Sequence, residues 1–183
     1  MKSYLLLLLA LPLFTTSYAQ HKYFTKTGKI TFTSKAPLEK IEAKNKTAVA
    51  VIDTKSGALQ FALQMKGFEF EKALMEEHFN ENYVETDKYP KAEFKGMIIN
   101  NKEINYSKDG LYTAKVKGKL TIHGETKDIE TTATLKITGN KLNTVSTFNI
   151  LISDYKISIP SVVKDKLSNE VAIVVDCNME QLK

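Results

Sequence analysis

The chain has 183 residues, 43% of them hydrophobic and 26% charged, with a formal net charge of +5 at pH 7, which suits one domain with a sizeable core. All 26 basic residues are lysine; arginine, the usual source of bidentate contacts to phosphate and guanine, is absent, and the lysines are spread along the chain, which argues for a solvated surface and against a nucleic-acid interface. The single cysteine, Cys177, cannot form an internal disulfide, so the apolar core has to stabilise the fold unaided.

The first segment reads as an address. Lys2 precedes an apolar run over residues 4–14 that is too short to span a bilayer, and Ser17-Tyr18-Ala19 has the small-x-small pattern of a signal peptidase site. Residues 1–19 are therefore expected to be a cleaved signal peptide. Residues 20–183 form the mature domain, with a periplasmic or secreted destination.

Period-two alternation dominates the mature domain. Ile30 and Phe32 share one face of a first strand, and residues 41–45 and 48–53 read as two shorter strands. Thr54-Lys55-Ser56-Gly57 is a turn into a strand carrying Leu59, Phe61, Leu63 and Met65. Residues 68–83 break the pattern: Phe70, Leu74 and His78 recur at spacing four, beside Met75 and Phe79, which predicts one or two short helices on the barrel or across its mouth. Alternation resumes with Ala92, Phe94, Gly96 and Ile98.

Over residues 111–122, Tyr112, Ala114, Val116, Gly118, Leu120 and Ile122 oppose a face of threonine and lysine. His123-Gly124-Glu125 reads as a hairpin turn. Ile129, Thr131, Ala133, Leu135 and Ile137 then line one face of the next strand. Thr138-Gly139-Asn140 turns into a strand bearing Leu142, Phe148, Ile150 and Ile152. A short helical turn is expected over residues 161–167, and a last strand over residues 171–179 carries Ile173, Val175 and Cys177.

Strands of ten to twelve residues would be roughly 33 to 40 Å long. Closing such a sheet into a barrel covers its apolar face and removes exposed edges, with a two-layer sandwich as the competing architecture. The inward stripes hold many small or weakly polar residues, among them Ala92, Gly96, Ala114, Gly118, Thr131, Ala133, Thr144 and Ser146. A barrel of about eight strands either fills with side chains or holds one small ligand, and the stripes are compatible with both. If a cavity exists, its expected lining is Phe61, Leu63, Phe94, Ile98, Val116, Gly118, Leu120, Ala133, Leu135, Phe148, Ile150 and Ile152.

Catalytic chemistry has little to build on. The histidines are His21, His78 and His123, without paired metal-ligand spacing, and no nucleophile elbow, P-loop or zincin motif occurs. No catalytic residue, metal or cofactor is assigned. His78, Tyr89 and Asp154 are polar or gating candidates. His78 is expected mainly to anchor its helix, His123 to stabilise its turn, and Asp154 to hold the segment after it by accepting backbone N–H bonds. Cys177 reads as a small core residue.

Several local signatures occur in order: Phe68-x-Phe70, Leu74-Met75 and His78-Phe79; Tyr89-Pro90-x-Ala92-x-Phe94; Gly118-Lys119-Leu120-Thr121-Ile122-His123-Gly124 with Thr126-Lys127; and Asp154-Tyr155-x-Ile157-x-Ile159-Pro160. Together, from about Gly28 to Met179, they resemble the YceI-like family of lipocalin-like polyisoprenoid-binding periplasmic proteins. The resemblance implies an all-β fold, an extended eight-stranded antiparallel lipocalin-like barrel with a short helical insertion. It also implies a pore that binds, carries or stores a long-chain isoprenoid or fatty lipid. An enzyme acting on such lipids and an interaction module with a filled core are the alternatives. Transient contact with a membrane surface and a homodimer are both compatible with the sequence.

Overall fold

The computed structural model describes residues 21–182. Eight long strands form the barrel: β1 (Lys22–Lys35), β2 (Lys40–Asp53), β3 (Ala58–Gln64), β5 (Lys91–Ile98), β6 (Gly110–Ile122), β7 (Glu125–Thr138), β8 (Lys141–Leu151) and β9 (Glu170–Gln181). A two-residue strand, β4 (Glu69–Phe70), adds to the edge of β2. The order is β1-β9-β8-β7-β6-β5-β3-β2, and antiparallel pairing of β1 with β2 closes it. Closure is what the alternating pattern asks for, because it gives the apolar stripes one shared interior. The expected leader, residues 1–19, lies outside the described residues.

Residues 41–45 and 48–53 belong to one strand. The register of β1 against β2 shifts between Thr25 and Gly28 and again between Gly28 and Ile30. Asn45, fully buried, satisfies the backbone at this irregularity. Its Oδ1 accepts from the Thr47 N–H and hydroxyl, both at 2.9 Å, and its Nδ2 donates to the Gln64 carbonyl at 2.9 Å. A β-bulge breaks the alternation on which strand reading depends, which is why the sequence suggests two pieces.

The predicted helix begins later than residue 68. Phe70 is extended in β4 and pairs with Ala43, so it shares no helix with Leu74 and His78. Helix α1 covers Ala73–His78 and runs into a π-helical turn over Phe79–Tyr83. Glu76 reaches back to accept the Phe70 N–H at 3.3 Å. Ile152 likewise leaves its strand: β8 ends at Leu151, and Ile152–Tyr155 form a 3-10 turn. Another such turn covers Ser161–Val163.

The hairpin between β6 and β7 is a two-residue turn, with His123 at φ 51° and Gly124 at φ 75°. Positive φ at both central residues matches the right-handed twist of the flanking strands. The buried apolar residues fall into two groups. One plugs the barrel end where Tyr23, Ile52, Ile98, Ile104, Leu142 and Met179 meet. The other, including Ile30, Leu63, Phe68, Val84, Tyr155 and Ile157, lies towards the opposite end.

The barrel cavity as candidate functional site

Between the two groups lies a cavity of about 610 Å³. Its closed end is formed by Ile52, Ile98, Leu135, Cys177 and Met179. Its mouth is rimmed by Ser34 and Glu39 from the β1–β2 hairpin, Lys72, Leu74 and His78 from the α1 region, and Lys166 and Ser168 from the loop before β9. The wall between is almost wholly aliphatic and aromatic, interrupted by Glu93, Thr131, Thr144 and Ser146. At that size the space falls within the roughly 300–1,000 Å³ range of small-molecule sites.

Eleven of the twelve expected lining residues stand on this wall: Phe61, Leu63, Phe94, Ile98, Val116, Leu120, Ala133, Leu135, Phe148, Ile150 and Ile152. Gly118 does not. It pairs with Gly96 across β5 and β6, and the Phe94 ring lies over both glycines. A Cβ at Gly118 would come within 2.6 Å of the Phe94 ring, of Gly96 Cα and of the Lys95 carbonyl. The volume a glycine pair leaves is thus filled by a ring from the same face two residues away, an arrangement that stabilises sheet glycines.

Four phenylalanines define the mouth end, and alternation alone does not single them out as lining. Phe32 packs against Phe68, Phe70 and Phe79 at centroid distances of 5.2, 5.7 and 5.5 Å. Phe68 and Phe70 also pack against Phe79, and all four face the cavity. This cluster ties the α1 region to the barrel. Phe79 is legible as part of an apolar helical stripe, but its contact with β1 is tertiary. A hydrogen-bonded ion pair, Lys72 Nζ to Glu39 Oε1 at 3.3 Å, crosses the same rim. The loop before β9 is held by Leu38 N–H donating to the Asp165 carbonyl at 3.0 Å and Ser168 N–H donating to Ser34 Oγ at 2.9 Å.

Of the three polar or gating candidates, His78 stands at the cavity and Tyr89 and Asp154 do not. His78 is exposed on the rim and makes no side-chain hydrogen bond among the described residues, so it does not anchor its helix. His123 is the anchoring histidine: its Nδ1–H donates to the Tyr155 carbonyl and its Nε2 meets Glu85 Oε2, each at 2.9 Å. Tyr89 packs edge-on against the His123 ring at 4.4 Å, away from the cavity. Asp154 is exposed and binds no backbone N–H of the segment it precedes. Asn169 holds the residues before Asp154, its carbonyl and Oδ1 accepting from the Ile152 and Ser153 N–H groups at 2.9 and 3.0 Å, while the Lys156 and Ile157 N–H groups donate to the Ser153 and Ile152 carbonyls at 3.1 and 3.2 Å. A short acidic side chain in a 3-10 turn points to water where the turn's own carbonyls already accept the following N–H groups.

Cys177 faces the cavity but is 1% exposed, and burial pushes its thiol up to about 12. A thiol held protonated is a poor nucleophile. Among the described residues no three His, Cys, Asp or Glu side chains converge on a metal-sized site.

A family model described as the YceI-like domain matches residues 14–179. The chain belongs to the YceI-like family. Solved structures share its fold at low sequence identity. A polyisoprenoid binding domain from Saccharophagus degradans superposes with a TM-score of 0.77 at 14% identity, covering 89% of this chain and 99% of that one. Burkholderia cenocepacia BcnA gives 0.68 at 18% identity, with 84% and 96% covered. A Campylobacter jejuni YceI protein, crystallised as a mutant with a monobromobimane guest, gives 0.58 at 20% identity, with 75% and 81% covered. No curated protein matches the sequence.

As a YceI-like barrel, the chain has lining positions beyond the twelve expected from its sequence. Ile173, Val175 and Cys177 of β9 and Ile129 of β7 face the cavity. Their period-two spacing marks them as buried, but whether a buried residue meets a neighbour or a void depends on the opposite wall.

Proposed function

We propose that this protein binds a long-chain apolar ligand, a polyisoprenoid or similar amphiphilic lipid, inside the barrel, and acts as its carrier or store. One observation carries the reading: an apolar cavity of about 610 Å³ plugged at one end and rimmed by polar groups at the other. The similarity to a polyisoprenoid binding domain supports the ligand class.

Each methylene moved from water into this wall is worth about 0.8 kcal/mol, so a dozen would supply roughly 10 kcal/mol before ordering costs. With an association cost of about 4 kcal/mol, about 6 kcal/mol remains, a Kd of roughly tens of micromolar, and each further buried methylene tightens it without directional chemistry. The polar ligand end belongs at the mouth, beside Lys72, His78 and Lys166. Leu38, Leu74 and Val162, which are 73%, 61% and 88% exposed, protrude from the three segments around that mouth and suit transient contact with a membrane surface. The sequence of residues 1–19 supports action in the periplasm or outside the cell.

Native mass spectrometry of the purified protein, followed by solvent extraction, tests the proposal. A long-chain molecule retained at near one-to-one stoichiometry supports it. A protein that is ligand-free as purified and takes up neither a polyprenol nor a fatty acid would refute it.

A further inference from the structure

The barrel wall is not hydrogen-bonded throughout. Pairing between β7 and β8 stops at Ala133↔Ser146, so residues 125–132 of β7 and 147–151 of β8 run on without a shared ladder. Both strands stay paired on their other sides, β7 with β6 as far as Glu125 and β8 with β9 as far as Leu151. The seam therefore lies between two intact stretches of wall. At its fork, Ser146 Oγ donates to the Thr132 carbonyl at 2.8 Å and shares a hydrogen bond with Thr131 Oγ1 at 3.2 Å. Ile129 and Thr131 on one bank, and Ser146, Phe148 and Ile150 on the other, face the cavity directly.

Residues 152–157 fold back and pack against β7. Ile152 and Ile157 present apolar side chains to the cavity, and Tyr155 is 1% exposed. What ties this segment to the β6–β7 hairpin is side-chain chemistry. His123 Nδ1–H donates to the Tyr155 carbonyl at 2.9 Å, and Lys156 Nζ pairs with Glu125 Oε1 at 2.6 Å, with Lys156 74% exposed. The Tyr155 hydroxyl is buried with no hydrogen-bond partner among the described residues. A buried, unpaired hydroxyl favours any motion that hydrates it.

We infer that the apolar ligand enters and leaves sideways through the β7–β8 seam, with residues 152–157 as the door and the His123 and Glu125 contacts as its latch. The inference rests on the proposed binding of a lipid in the barrel. Parting the seam breaks side-chain contacts and packing but no ladder hydrogen bond. A long chain taking this path avoids the Phe32, Phe68, Phe70 and Phe79 cluster at the mouth.

The test uses a Glu125→Cys/Lys156→Cys double variant of the full chain and a polyene fatty acid whose fluorescence rises on burial. Stopped-flow association and dissociation rates are read before and after joining the two thiols with a short bifunctional reagent; buried Cys177 does not compete. Cross-linking should slow both rates by about tenfold or more with affinity nearly unchanged, because a gate acts on rates alone. The unjoined double variant, and the single exposed variant Lys156→Met, should exchange probe faster than wild type. Hydrogen exchange without ligand gives a second readout: amides of residues 152–157 should exchange faster than those of residues 133–138, and cross-linking should slow them. Wild-type rates in the cross-linked protein would assign entry to the mouth and overturn the proposal. A wild-type chain that binds no probe at equilibrium would instead overturn the ligand reading, and the seam with it.

Discussion

Gly118 and Ala133 show how much one side chain's surroundings decide. Both are small residues on inward faces of adjacent strands, and alternation alone treats them alike. Ala133 borders open cavity, whereas a side chain at Gly118 would meet the backbone of β5 and the Phe94 ring. Gly118→Leu is therefore expected to destabilise the barrel by about 2–3 kcal/mol or more, since strand backbone cannot move aside cheaply. Ala133→Leu should keep a near-wild-type denaturation midpoint while weakening ligand binding by at least about tenfold, as volume is taken from the cavity. Urea titration and probe binding on the two variants separate these outcomes; equal stability losses would contradict the assignment. Glu125 gives a pH prediction. A hydrogen bond from Lys156 lowers its carboxyl below the ordinary 4.5. A carboxyl whose folded value is depressed contributes stability above its unfolded value and loses it as pH falls through the folded one. Wild type should thus lose more stability than Glu125→Gln on acidification below about pH 4.5. Denaturant midpoints measured from pH 6 down to about pH 3 would show the two curves converging.

Among the elements, the β6–β7 hairpin does more than join two strands. Its turn residue His123 reaches the carbonyl of Tyr155 and the carboxylate of Glu85, so one imidazole links three segments distant in sequence. His123→Ala leaves a largely buried carbonyl without its donor and should cost about 1–3 kcal/mol. Gly124 holds φ 75°, and a Cβ there would lie 2.7 Å from the Tyr89 ring. Gly124→Ala should cost about 1–2 kcal/mol through strain, with the hairpin register kept. Thermal unfolding of both variants checks the magnitudes. A His123→Ala protein as stable as wild type would mean that the contacts with Tyr155 and Glu85 contribute nothing. At this scale the sequence is informative where alternation is unbroken. The segments over residues 111–122 and 129–137 match β6 and much of β7. It is less so at the β2 bulge and at Phe70, where pairing with a distant strand overrides local spacing.

Across the whole molecule, the barrel gives up core packing to keep its interior partly empty. The two apolar groups at its ends supply the stability that the middle lacks, and a ligand that binds only the folded state should restore some of it. At a free concentration one hundred times Kd the gain is about 2.7 kcal/mol, which for a domain of this size is roughly a 5–10 °C rise in Tm. Scanning calorimetry with and without a polyprenol measures this, and an unchanged Tm under saturating ligand would argue against binding to the folded barrel.

The sequence by itself determined that strands dominate, which faces are buried and that one short segment is helical. Those features follow from local periodicity and residue chemistry. Tertiary structure alone decided whether the buried stripes meet each other or face a void, that Phe94 occupies the space over Gly118, that His123 rather than His78 is the anchor, and where β7 and β8 part. Each depends on which strands become neighbours around a closed ring. The spacing of residues along the chain carries no measure of the distance across the barrel.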